Sequence, residues 1–94
     1  MTALHLFNKT SLGGAAARVR NGDTVILIED GCYAARAGGV QIKELCTRAT
    51  VFAMRADLLA RGIAESQLAA GVGVVDYDGF VAHCARCSPV VSWR

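Results

Sequence analysis

No apolar run in this chain approaches the roughly 20 residues that a helix needs to cross a bilayer, so no membrane-spanning helix is expected. Charge of one sign is also missing. Ten Lys and Arg stand against eight Asp and Glu, and the net charge of +2 is too small and too scattered for direct nucleic-acid binding. The N-terminus has no basic region followed by an apolar core. That argues against a secretory leader and for a reducing cytoplasm, where four cysteines are expected as thiols rather than disulfides. Only two histidines occur, His5 and His83, and neither has a nucleophile nearby, so a catalytic triad has no support. Gly71-Val72-Gly73 lacks a third glycine and precedes a strand rather than a helix. Nothing therefore cradles phosphate, and no cofactor is called for. A serine-nucleophile motif, internal repeats, linkers and low-complexity segments are absent as well.

What is there is an apolar excess. Of 94 residues, 53% are hydrophobic. This length makes one domain, covering residues 1–94. So much apolar surface in so short a chain must pack a dense core or be buried in partners.

The chain is organised around Thr24 to Ala35, TVILIEDGCYAA. Val25 to Ile28 is an unbroken, β-branched-rich run, the pattern of a strand covered on both faces. Glu29-Asp30-Gly31 ends it with turn chemistry, and the Ala-rich segment beyond reads as a helix start. Strand, acidic turn, helix begins a βαβ unit. In open α/β sheets ligands and chemistry gather at the carboxyl ends of the strands.

Along the rest of the chain, strands are expected at 3–7, 24–29, 50–53, 72–76 and 90–93. Helical segments are expected at 12–20, 32–37, 41–48, 55–61, 65–68 and 80–87. The first is weakly specified, because Gly13 and Gly14 each cost about 1 kcal/mol relative to Ala. Ile42, Leu45 and Cys46 share a helix face, Asp57 stands four residues ahead of Arg61, and Gly62 supplies a helix stop. Asp78 is expected to cap the helix that begins at Phe80. The alternation predicts a three-layer α/β fold: a mainly parallel sheet of about five strands with helices on both faces.

Four thiols are candidates for chemistry. Cys32 is expected at the first turn of a helix beside a strand end, where the helix dipole lowers a thiol pKa and the position grants access. Glu29 and Asp30 oppose that, since their charges disfavour a thiolate. The competing reading is a small apolar residue under the sheet edge. Cys84-Ala-Arg-Cys87 is a CxxC, but it falls late in its helix, where the dipole disfavours a thiolate; two packed small residues account for it. With His83 the pair offers only three metal ligands and no second pair exists, so no metal is expected. Cys46 reads as core. Asp76, Tyr77 and Asp78 at another strand end offer acid–base groups, with turn and cap roles as the simpler account.

Several segments in order resemble the DsrH/TusB family. They are Leu4-His5-Leu6-Phe7-Asn8-Lys9, Ile28-Glu29-Asp30-Gly31-Cys32-Tyr33-Ala34-Ala35, the stretch 51–62 from Val51 to Gly62, Val75-Asp76-Tyr77-Asp78-Gly79-Phe80-Val81, and Val91-Ser92-Trp93. The resemblance implies a DsrE-like fold. It also implies a cytoplasmic sulfur-relay subunit that joins DsrE/TusD-like and DsrF/TusC-like partners in a heterohexamer. Such a complex passes persulfide sulfur between small carrier proteins, toward tRNA 2-thiouridine in the Tus version or oxidative sulfur metabolism in the Dsr version. The main sulfur-accepting cysteine of the family's complexes belongs to a partner subunit. DsrH-type members of sulfur oxidisers carry a cysteine in the first helix. Here Gly13-Gly14-Ala15-Ala16-Ala17 stands instead, and no cysteine precedes Cys32. That departure favours a TusB-like, structural and non-catalytic role over a sulfur-bearing one. The alternatives are a DsrH-like subunit and an autonomous persulfide carrier using Cys32.

Overall fold

The apolar run at the centre of the sequence is β2 (Thr24–Leu27), and every residue in it is buried. A computed structural model describes residues 2–93. Around β2 lie β1 (Leu4–Phe7), β3 (Thr50–Met54), β4 (Val72–Val75) and β5 (Val90–Trp93), in the order β4-β3-β2-β1-β5. All four pairings are parallel, with Leu4 opposite Thr24 and Val90, and Thr24 opposite Thr50. β2 is the central strand of the five and is buried along its whole length, because both its edges are paired and both its faces are covered.

Helices lie on both faces, but unevenly. One face bears three short 3₁₀ segments (Gly13–Arg18, Glu29–Ala35, Glu65–Gln67) together with α1 (Val40–Arg48) and α2 (Arg55–Ala60). Alternate strand residues Phe7, Val25, Leu27, Val51 and Ala53 meet Leu12, Ala16, Cys32, Ile42, Leu45 and Leu58 there. The other face carries α3 (Tyr77–Arg86) alone. Its Phe80 and Cys84 pack on Leu4, Ile26, Met54 and Val75, yet no residue of α3 is itself fully buried. Gly73 on β4 makes room for the Phe52 ring, which a Cβ would meet at 2.9 Å.

Three local expectations are corrected. The segment expected to be helical at 12–20 is only a 3₁₀ stretch; Gly13 sits at φ 59° and no side chain caps the start. The helical turn around Cys32 begins at Glu29, directly after the extended Ile28, and it too is 3₁₀. The last helix starts at Tyr77, not Phe80, and its cap is Asp76 rather than Asp78. The Asp76 carboxylate accepts the Gly79 N–H at 2.8 Å, three residues on, as an N-cap does. Asp78 lies within the first turn, where its charge complements the helix dipole.

Arg48 at the end of α1 holds the weak 3₁₀ stretch in place. Its guanidinium donates to the carbonyls of Ala16 (2.7 Å) and Val19, while Glu44 one turn back accepts from Nε at 2.9 Å. Gly62 closes α2 at φ 67°, a conformation in which a Cβ would be strained.

Candidate functional site

At the carboxyl ends of β1, β2 and β3 the chain builds a tight polar lattice. Glu29 takes up a left-handed conformation at φ 49°, and its N–H donates to Asp57 Oδ2 at 2.9 Å. Asp57 is in α2, directly after β3. Arg61 lies one turn further on; its Nε donates to Asp30 Oδ1 at 3.0 Å, and its Nη1 lies 3.7 Å from Asp57. The Asp57–Arg61 pair follows from helix spacing; the Asp30 link crosses 31 residues and had no local signal. These charges tie the Glu29–Ala35 segment to α2. Gly31 lies against β1: a Cβ built on it would fall 2.1 Å from the Phe7 carbonyl oxygen.

That clamp decides the position of Cys32. The thiol is 0% exposed and its Sγ donates to the Leu27 carbonyl at 3.5 Å. Burial pushes it up to about 11, with the Asp57 charge acting in the same direction. The expected access at a helix start is absent because the segment turns inward over the strand end. A 3₁₀ segment whose fourth residue points into the core presents no helix N-terminus to that sulfur. The nearby surface cleft of about 460 Å³ is lined by Thr10, Leu12, Tyr33, Arg36, Val40 and Gln41, and Cys32 does not reach it.

The other cysteines are scattered. Cys46 is half-buried on α1, and burial raises its pKa. Cys84 packs in the apolar cluster under α3, where burial and then the neighbouring Cys87 thiol raise its pKa. Cys87 is the C-cap residue of that helix, and the CxxC therefore lies at the negative end of the dipole. His83 lies against the Phe52 ring at a centroid distance of 4.9 Å; burial, then Arg86, lowers its pKa. Among the described residues no three His, Cys, Asp or Glu side chains converge as metal ligands. Asp76 is the helix cap, and Tyr77 beside it is 71% exposed. No helix among the described residues is long and apolar enough to cross a membrane.

One polar cluster has no counterpart in the sequence reading. His5 on β1 is buried, bonded through Nε2 to Asp23 Oδ2 at 2.9 Å and through Nδ1 to the Trp93 indole at 3.0 Å. The three residues are 18 and 88 positions apart, and only the sheet order brings them together.

The sequence compares with known proteins as follows. Residues 6–90 match the family model described as DsrH like protein. A protein from Pectobacterium parmentieri named Protein TusB is 36% identical over 76 residues, 80% of this chain and 79% of the relative. Proteins of the same name from Pectobacterium carotovorum subsp. carotovorum (strain PC1) and Pectobacterium atrosepticum are 34% and 33% identical over 77% and 80% of this chain, and over 76% and 79% of their own. The match extends from β1 into β5 and takes in every helix of the fold, so the chain belongs to the DsrH family.

Proposed function

We propose that this chain is a non-catalytic subunit of a sulfur-relay complex, closer in role to TusB than to a sulfur-bearing DsrH. In this reading it completes a cytoplasmic heterohexamer with DsrE/TusD-like and DsrF/TusC-like subunits. The complex passes persulfide sulfur between small carrier proteins toward 2-thiouridine at the tRNA wobble position. The chain's own work is to shape the surface beside a partner's persulfide cysteine.

The observation that carries this reading is the burial of Cys32, the one thiol near the carboxyl edge of the sheet. A persulfide carrier needs a thiolate that a second protein can reach, and a sealed thiol pushed up to about 11 offers neither charge nor access at neutral pH. The absence of cysteine from Gly13 to Ala17 points the same way. Further support comes from the name TusB borne by the three relatives and from exposed apolar side chains such as Leu59, Val81 and Val90, the kind of surface that partners cover.

The test is co-expression of the tagged chain with DsrE/TusD-like and DsrF/TusC-like subunits from the same genome. Recovery of a stoichiometric complex is expected, with no added mass on this chain after exposure to a persulfide donor. A lone, monodisperse chain would overturn the assembly role. A gain of about 32 Da, one sulfur atom, on Cys32 would instead make it a carrier.

A further inference from the structure

The His5 cluster does work that the sulfur-relay reading does not use. The indole N–H of Trp93 can only donate a hydrogen bond. His5 Nδ1, 3.0 Å from it, must therefore carry a lone pair. The ring proton then sits on Nε2, which donates it to Asp23 Oδ2. This tautomer follows from the chemistry of the two partners. The Asp23 carboxylate also accepts the Arg20 N–H at 3.0 Å and the Ala3 N–H at 3.1 Å, so its position is fixed from three sides. The His5 and Trp93 rings are within 4° of parallel, with centroids 6.2 Å apart.

We propose that His5 is a proton-operated latch on the edge strand β5. The neutral ring holds Trp93 by accepting its indole N–H. A proton taken from solvent onto Nδ1 makes the ring a cation with two N–H groups, and donor then faces donor across that contact. One of the two side chains must move. His5 stays, because β1 is paired on both edges and Asp23 attracts the cation through Nε2. Trp93 leaves, because β5 is paired on one edge only and Trp93 is its last residue.

The charged groups that face the ring are Asp23, from the turn before β2, and Arg18 and Arg20, which line the same cleft of about 410 Å³. In the protonated state the end of β5 frays, and the outer edge of β1 around Phe7 loses its partner strand.

Trp93 is the only tryptophan, so its emission reports on the latch directly. The experiment scans the full-length protein from pH 8 to pH 5, the window in which histidine side chains change charge. Emission is expected to shift to longer wavelength, and acrylamide quenching to rise, along a one-proton curve, while the far-ultraviolet circular dichroism changes by no more than the fraying of the end of β5 and the fold stays intact. His5→Gln, which can still accept from the indole and donate to Asp23 but cannot titrate, is expected to be flat. His83→Gln is expected to keep the transition. Should His5→Gln not fold, nitrogen-15 spectra of the unaltered protein decide, because the His5 ring nitrogens and the Trp93 indole N–H must titrate together. A flat scan of the unaltered protein, a transition that survives His5→Gln, or an indole signal that stays fixed while His5 gains its proton would each overturn the latch.

Discussion

Replacing Gly31 by alanine should unfasten the carboxyl edge of the sheet. The added methyl group would lie 2.1 Å from the Phe7 carbonyl oxygen and 2.9 Å from its carbon, both backbone atoms of a strand paired on two sides. No side-chain rotation relieves that clash, so the Glu29–Ala35 segment must lift away from β1. Overpacking of this kind costs about 1–3 kcal/mol. The same Phe7 oxygen accepts the Ile28 N–H at 3.0 Å, and losing that bond adds about 0.5–1.5 kcal/mol. Together the loss is about 1.5–4.5 kcal/mol, a large share of the roughly 5–15 kcal/mol that a domain of this size possesses. Urea unfolding followed by circular dichroism should show a lower midpoint with an unchanged slope, and the melting temperature should fall by about 10–30 °C. Gly14→Ala is the companion measurement: no atom lies within 4 Å of its added methyl, and a gain of about 0.4–1 kcal/mol is expected from the stiffer unfolded chain. If Gly31→Ala were to cost less than about 0.5 kcal/mol, the contact between Gly31 and β1 would not have the rigidity argued for it, and the account of why Cys32 faces inward would fail with it.

Cys32 should resist a thiol-specific reagent such as Ellman's in the native protein at pH 7.5 and react once urea is added, as thiol counting in the Cys32→Ala variant would verify. Because the folded protein holds the Cys32 proton up to about 11, and an unfolded thiol releases it near the ordinary value of 9.0, stability should fall as pH rises across that interval. Cys32→Ala should lessen the decline, leaving the part due to Cys46 and Cys84. Asp23 has the opposite sign. Burial pushes its carboxyl up, but the Arg20 amide, His5 and the Ala3 amide outweigh that and hold it below the ordinary carboxylate value of 3.8. The native state therefore binds fewer protons than the unfolded one. This stabilisation is complete above that value and is lost as pH falls through the lower folded value; acid unfolding of Asp23→Asn should lack that component. Arg48→Met should cost about 1.5–3 kcal/mol, the worth of charged hydrogen bonds to the Ala16 and Val19 carbonyls, and amide exchange should quicken first in the 13–18 segment.

The parts of this protein legible in its sequence were those governed by neighbours along the chain. The Val25–Ile28 run announced a strand with two covered faces, Gly62 announced the end of α2, and the alternation of apolar runs with helical spacing announced a parallel sheet. Each follows from local sterics or from periodicity, which a single strand or helix already expresses. The cap of α3 was misread by two residues because Asp76 and Asp78 carry the same side chain. Only the length of β4, set by its pairing with β3, decides which of them lies at the boundary. Cys32 could not be placed from sequence for a similar reason. Helix start and buried core were both open to it until Gly31 met the Phe7 backbone and turned the segment inward. The His5, Asp23 and Trp93 cluster left no trace at all, since its members meet only because β5 returns to the outer edge of β1. Strand order is a property of long-range closure, in which one crossover direction is chosen over another by the packing of the whole. Periodicity carries no record of that choice, and in this chain the choice decides which side chains share a site.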